Sequence, residues 1–224
     1  AALLEIGQRQ LEFEGFHLFA GSQNLRAASL IEAQSKSYEL ARALSAYAPS
    51  PPRTLNLGGG FGLPYFPGDQ VLDVEAVAAH LRALAQRAAS ELPGCRLAIE
   101  LGRYLVGEAG VYVCKILDSK VSRGQRFLIV DGGLHHHLAA SGNFGQVVRR
   151  NYPTAIGNRM SASATAEVSV TGPLCTPLDL LADRADLPEA GPDDYFVIFL
   201  SGAYGPSASP QAFLGHPAPV EVLV

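Results

Sequence analysis

An acid and a base three residues apart, Glu100 and Arg103, close the strand-like run Arg96-Leu-Ala-Ile-Glu100 in the order Glu-Leu-Gly-Arg. If that run is a strand of a parallel β/α barrel, both groups lie at its C-terminal end, the face on which such barrels build active sites. A structural ion pair is the plain alternative. Leu57-Gly-Gly-Gly-Phe-Gly62 follows a second strand-like run. Successive glycines let backbone N–H groups approach an anion with no Cβ in the way, so Gly58, Gly59 and Gly60 are candidates for holding a phosphate. Leu63 stands where the third glycine of the dinucleotide fingerprint belongs, which excludes that motif, and a tight strand-to-loop turn competes with the phosphate reading. Cys175 in Gly172-Pro-Leu-Cys-Thr176 offers a thiol, and Tyr204 in Gly202-Ala-Tyr-Gly205 a phenol. A packed thiol and a turn aromatic would account for them equally well. His135-His-His137 invites a metal, but neighbours on an extended chain point to opposite faces and cannot converge on one ion. They follow the turn-like Asp131-Gly-Gly133 and read as loop histidines, and no metal is assigned.

The elements that must position these groups differ between the two halves of the chain. Gly15–Ala20, Arg53–Leu57 and Arg96–Glu100 read as short buried strands. Between them, Leu25 to Tyr47 spaces Leu30, Ile31, Leu40 and Leu44 helically, and Val74, Val77, Ala78, Leu81, Leu84 and Ala85 make a second apolar helix face. Alternating strands and helices imply parallel β/α units. Three units cannot close an eight-fold barrel, so the expectation is a small open sheet or the last three units of a barrel. From about Gly107 the pattern turns all-β. Gly110–Leu117, Arg126–Val130, Ala164–Val170, Tyr195–Leu200 and Val220–Val224 are strand-like, with only a short helical spacing at Pro177 to Ala185. The expected domains are 1–107, the C-terminal part of a β/α barrel, and 108–224, a β-domain.

Bulk properties narrow the function. With 48% hydrophobic and 17% charged residues the 224-residue chain is an ordinary globular sequence. Its net charge of −4 and lack of a basic stripe argue against nucleic acid and anionic membrane surfaces as partners. No apolar run reaches the length of a bilayer span, and the N-terminus lacks the pattern of a signal peptide. Cys95, Cys114 and Cys175 are odd in number and lack metal-ligand spacing, which suits a reduced, cytoplasmic setting. The chain starts on Ala1 within a helical pattern, which reads as a cut chain.

In order along the chain stand Gly15-Phe-His-Leu-Phe-Ala-Gly-Ser-Gln23, Gly58-Gly-Gly-Phe-Gly62, Glu100-Leu-Gly-Arg103, Val130-Asp-Gly-Gly133, Gly172-Pro-Leu-Cys175 and Gly202-Ala-Tyr-Gly205. That succession resembles the fold-type III decarboxylases dependent on pyridoxal 5′-phosphate, the group of diaminopimelate, ornithine and arginine decarboxylases. Within it the chain looks most like the branch found with exosortase and exopolysaccharide gene systems. The resemblance implies a partial TIM-type barrel followed by a β-domain, and decarboxylation of an amino acid, free or carrier-linked. It also implies a homodimer with the active site at the interface. By motif position Ser22, Gly58, Gly59, Gly60, Gly102, Arg103 and the Tyr204 hydroxyl would hold the cofactor phosphate. Glu100 would pair with the pyridine nitrogen, and Cys175 would act in catalysis from across the interface. Glutamate at that place favours a decarboxylase over a racemase of the same barrel type. A catalytically inactive homologue, serving as a binding or regulatory partner, is the other class of reading.

Several positions depart from the family pattern. Phe19 replaces the histidine that stacks on the cofactor, which keeps an apolar ring face and loses a hydrogen-bonding group. Leu101 replaces a proline. Ala139 and the pair Asn143-Phe144 stand where the diaminopimelate enzymes carry an arginine and a tyrosine for the far end of the substrate, and Thr176 replaces an acid. The only lysines are Lys36, Lys115 and Lys120, none in an aromatic-x-x-Lys setting, so the Schiff-base lysine is expected upstream.

Overall fold

The computed structural model describes residues 1–146 and 148–224. Contacts divide it into two compact units, Ala1–Pro64 with Asp69–Tyr104, and Tyr65–Gly68 with Leu105–Val224. The short excursion belongs to the second unit because the Tyr65 ring packs 4.6 Å from that of Tyr152 and Arg150 lies over the Phe66 ring.

In the first unit, helix α1 (Ala2–Gln8) precedes three short parallel strands, β1 (Gly15–His17), β2 (Thr54–Asn56) and β3 (Arg96–Ala98), in that spatial order. Helices α2 (Ala27–Ser45) and α3 (Val74–Glu91) make the crossovers, α3 capped by the Asp73 carboxylate accepting from the Ala76 N–H. Register sets Phe16 beside Leu55 beside Leu97, and this row packs with Leu57, Tyr38, Ala41, Leu84 and Ala88 into one core. The next row, His17 beside Asn56 beside Ala98, turns to the opposite face. The partial set of β/α units expected from the sequence is present. The α2 face differs from the expected one: Leu30, Gln34, Ser37, Tyr38 and Ala41 are buried, whereas Leu40 is exposed.

The second unit opens with a short helix α4 (Arg103–Val106), shared with the end of the first. Its strands are β4 (Tyr112–Ser122), β5 (Gln125–Val130), β6 (Thr154–Ile156), β7 (Ala166–Thr171), β8 (Leu180–Leu187) and β9 (Tyr195–Ile198). They form one sheet in the order β6-β9-β4-β5-β7-β8, with only the β5–β7 pair parallel. Edge strands β6 and β8 touch, so the sheet curls nearly closed. Across the gap the Asn151 amide bonds both the carbonyl and the N–H of Asp183, as a neighbouring strand would. Ile116, Leu128, Val130, Ile156, Val168, Val170, Leu181, Phe196 and Ile198 fill the interior.

Two sequence expectations fail here. The helical spacing at Pro177 to Ala185 falls in a turn and then in strand β8, whose Ala182, Ala185 and Leu187 pair across to β7. Irregular register and a left-handed Arg184 (φ 46°) break its alternation, which is why the run mimics helical periodicity. Val220–Val224, read as a strand, forms none among the described residues and is exposed.

His135, His136 and His137 lie in turns after β5, as expected, yet are buried. The His136 Nε2 sits 2.7 Å from the Pro217 carbonyl and must donate to it, so its Nδ1 accepts from the Tyr112 hydroxyl at 2.8 Å. His137 accepts from the Ala140 N–H at Nδ1 and meets the Ser201 hydroxyl at Nε2. Burial pushes His137 down to about 4, and burial with the neighbouring His136 and His216 does the same for His135. An unfolded histidine gains its proton near pH 6.5, a buried one only near 4, so stability falls as pH drops through that window. Denaturant titrations at pH 7 and pH 4.5 should show this loss, and His137→Gln should flatten the dependence. An unchanged pH slope in that variant refutes the assignment.

Candidate functional site

Parallel strands that end in register deliver their last residues to one edge. His17 ends β1 and Asn56 ends β2, and Glu100 lies two residues beyond the end of β3, on the face of Ala98. The Asn56 Nδ2 donates to the Glu100 Oε1 at 2.9 Å, and the His17 Nε2 lies 3.2 Å from the Glu100 Oε2. Asn56 is itself oriented, since its Oδ1 accepts from the Gly58 N–H at 2.9 Å, which can only donate. Glu100 therefore presents a carboxylate fixed at both oxygens yet about half exposed, its side chain retaining 53% of its accessible surface. The Arg103 Nη1 donates to the Gln23 amide oxygen at 3.3 Å.

Glycine at 58, 59 and 60 is demanded by the neighbouring backbone. A Cβ on Gly59 would lie 1.7 Å from the Glu100 carbonyl oxygen, and one on Gly60 2.5 Å from that of Gly21. Gly58 and Gly60 also adopt left-handed φ of 70° and 87°. The loops after the three strands are thereby drawn together, with the Asn24 N–H on the Gly60 carbonyl and the Glu100 N–H on that of Gly58. The N–H groups of Gly59, Gly60 and Gly102 make no hydrogen bond to another described residue. Ser22 and Gly59 also line a cleft of about 360 Å³ with Gly21, Asn24 and Arg26. Unspent backbone donors, a serine hydroxyl and a nearby arginine form a donor set that fits a phosphate. Phe19 is exposed, so its ring face is available.

In the second unit Cys175 is an exposed thiol on the loop between β7 and β8. Asp179 shapes that loop. Its buried carboxylate accepts from the Leu174 N–H at 2.8 Å and from the Leu134 N–H at 2.6 Å, tying the Gly172–Leu178 loop to the segment after Asp131-Gly-Gly133. A Cβ on Gly172 or Gly133 would fall 2.3 Å or 2.4 Å from its oxygens, which explains both glycines. Burial raises the Asp179 carboxyl, and the two backbone N–H bonds oppose that rise. Asn143 reaches the same loop, its Nδ2 donating to the Leu178 carbonyl at 3.1 Å, and the Phe144 ring lies 5.6 Å from that of Tyr204. Tyr204 holds a left-handed φ of 58°, an uncommon conformation for a bulky residue. Ala139 is buried, and Thr176 is neutral, its hydroxyl accepting from the Leu178 N–H.

Sequence reading missed His17, Asn56 and Asp179. His17 and Asn56 sit inside quoted motifs, but only register reveals that they share an edge with Glu100.

A family model described as the pyridoxal-dependent decarboxylase C-terminal sheet domain matches residues 21–202. The L-glutamyl-[BtrI acyl-carrier protein] decarboxylase of Niallia circulans is 41% identical over 216 residues, covering 95% of this chain and 50% of that protein. The diaminopimelate decarboxylase of Halalkalibacterium halodurans is 33% identical over 194 residues, 85% of this chain and 43% of its own. The crystal structure of Helicobacter pylori diaminopimelate decarboxylase complexed with L-lysine superposes with a TM-score of 0.72 at 28% identity, over 90% of this chain and 47% of that one. The chain spans about half the length of the curated relatives it matches.

Removing Asp179 strands two buried N–H groups and opens a void. Asp179→Ala should destabilise the protein by about 3 kcal/mol, measured by denaturant titration. A change below about 0.5 kcal/mol would mean that the carboxylate does not hold the Cys175 loop.

Proposed function

The chain belongs to the pyridoxal-dependent ornithine/diaminopimelate/arginine decarboxylase family, and on that premise we propose that the intact protein carrying it decarboxylates an amino acid whose far end is uncharged. Bound pyridoxal phosphate supplies the electron sink for the pair left behind when carbon dioxide departs. The observation that carries the reading is Glu100, held by Asn56 and His17 on the open face of the sheet. Its carboxylate keeps a proton on the pyridine nitrogen, because a negative charge beside that nitrogen favours its charged form. Ser22, the N–H groups of Gly59, Gly60 and Gly102, and Arg103 would hold the phosphate. Phe19 would offer the cofactor an exposed apolar ring face in place of a hydrogen-bonding group.

Cys175, an exposed thiol, returns a proton to the decarboxylated carbon. It does so from the partner subunit of a homodimer. Cys175→Ala protein mixed with protein lacking the cofactor lysine should therefore recover up to about a quarter of the activity, because random exchange leaves one intact site per hybrid. No recovery would put lysine and cysteine on one chain.

Substrate class follows from the second unit. Ala139 is buried and Thr176 is neutral, so neither supplies a charge for a distal ammonium or carboxylate. A glutamyl group joined to a carrier has lost its distal charge, which agrees with the 41% identity to an enzyme for such a substrate. The setting is the cytoplasm, with the product feeding assembly of an exopolysaccharide type, as the sequence resemblance implies.

Carbon dioxide release from a carrier-linked L-glutamyl group, free L-glutamate and meso-diaminopimelate tests this. Diaminopimelate should be slower than the linked substrate by about 100-fold or more, since its distal charges would be desolvated without partners. Efficient turnover of diaminopimelate overturns the substrate class. Glu100→Gln should bind cofactor almost normally yet turn over slower by about 100-fold or more. Near-normal turnover would remove Glu100 from the mechanism.

A further inference from the structure

The buried face of α2 carries a carboxamide. Gln34 keeps 4% of its accessible surface, and its Oε1 is buried with no hydrogen-bond partner among the described residues. Its neighbours along that face belong to apolar cores. Leu30, one turn earlier, packs with Phe61, Leu72 and Val77, and Tyr38, one turn later, packs with Leu55 and Leu57. A leucine would suit the place between them by size and burial. The amide instead gives up its bonds to water and gains none at its oxygen, which destabilises the fold. Buried polar groups are almost always paired, so an orphan of this kind calls for a partner outside the chain.

The surroundings narrow what that partner is. Gln34 lines the cleft of about 360 Å³ that Ser22 and Gly59 also line, together with Asn24, Arg26 and Ser29. The amide therefore shares a space with two of the groups that fit a phosphate. At about 30 Å³ for each ordered water, such a cleft holds a phosphate group with several waters beside it. Among the described residues that line it there is no acid, so no fixed negative charge in its wall repels an anion. A carboxamide has a donor on one side and an acceptor on the other, and its terminal torsion turns readily between two orientations. A phosphate dianion can only accept, so it takes the Nε2 donor and leaves Oε1 to a water.

We propose that Gln34 is a further binding residue for the cofactor phosphate, its Nε2 donating to a phosphate oxygen in the cleft it shares with Ser22 and Gly59. The proposal rests on the reading that the phosphate lies there. It accounts for an amide where packing alone favours leucine: the group lowers the stability of the cofactor-free protein and raises the affinity for the ligand. A purely structural residue would not show that pair of effects.

The cofactor-free intact protein is titrated by equilibrium dialysis with pyridoxal 5′-phosphate and with pyridoxal, which lacks the phosphate, and its thermal midpoint is measured. Wild type, Gln34→Leu, Gln34→Met and Ser22→Ala are compared. Both Gln34 variants nearly keep the volume and remove the amide, and either serves if the other does not fold. Each should weaken pyridoxal phosphate binding by about 10- to 100-fold, the range for a hydrogen bond to a charged group, and change pyridoxal affinity by less than about threefold. Each should also hold or raise the cofactor-free midpoint, by up to about 4 °C. Equal losses for both ligands, or a midpoint lowered in both variants, would make the amide structural and overturn the proposal. If Ser22→Ala selectively weakens pyridoxal phosphate binding and the Gln34 variants leave it unchanged, the amide meets water only, and the proposal fails while the phosphate reading stands. If Ser22→Ala leaves that binding unchanged, the placement of the phosphate in this cleft fails, and the proposal with it.

Discussion

Side chains on a strand alternate between faces, and in the first unit that alternation decides which residues can do chemistry. Phe16, Leu55 and Leu97 share a register row and are driven onto α2 and α3, where their burial stabilises the unit. Their neighbours His17 and Asn56 then have no choice but to face the other way. Two residues past Ala98, Glu100 joins them, and the hydrogen bonds from Asn56 and His17 follow from the register. A one-residue slip in β2 would bury Asn56 and remove the partner of the Glu100 Oε1.

Glycines enforce the same geometry in the loops. Gly59 admits the Glu100 carbonyl and Gly60 that of Gly21, so the three strand ends close on one another before any ligand is considered. The backbone N–H groups left over in that closure are the ones available to an anion. The turn explanation of the glycine run is therefore compatible with the proposed phosphate cradle and does not compete with it.

Much of this was legible in the sequence. The β/α character of the first half, the all-β character of the second and the order of the six motifs all follow from local pattern. What stayed hidden depends on partners distant in the chain. Strand β8 looked helical because Arg184 disturbs its alternation, and its pairing with β7 is invisible locally. Asp179 stood four residues after Cys175 with nothing to mark it, since its partners are the backbone N–H groups of Leu134 and Leu174. The histidine run was placed correctly in turns, but its burial depends on Tyr112, Ser201 and Pro217, brought in from three separate segments.

Two carboxylates illustrate how environment assigns a task. Asp179 is buried with each oxygen accepting from a backbone N–H group, so burial closes its remaining lone pairs to any incoming donor and it holds two loops. Glu100 accepts from side chains, one of them a neutral amide, and stays half exposed. Each carboxylate oxygen has two lone-pair directions, so a single bond at each leaves Glu100 with capacity for a further donor while its orientation is fixed. A carboxylate that must meet an incoming N–H group needs both properties, since a freely rotating one loses orientational entropy on binding and a saturated one cannot accept. The Asn56 and His17 contacts provide the first property, and the open face of the sheet preserves the second.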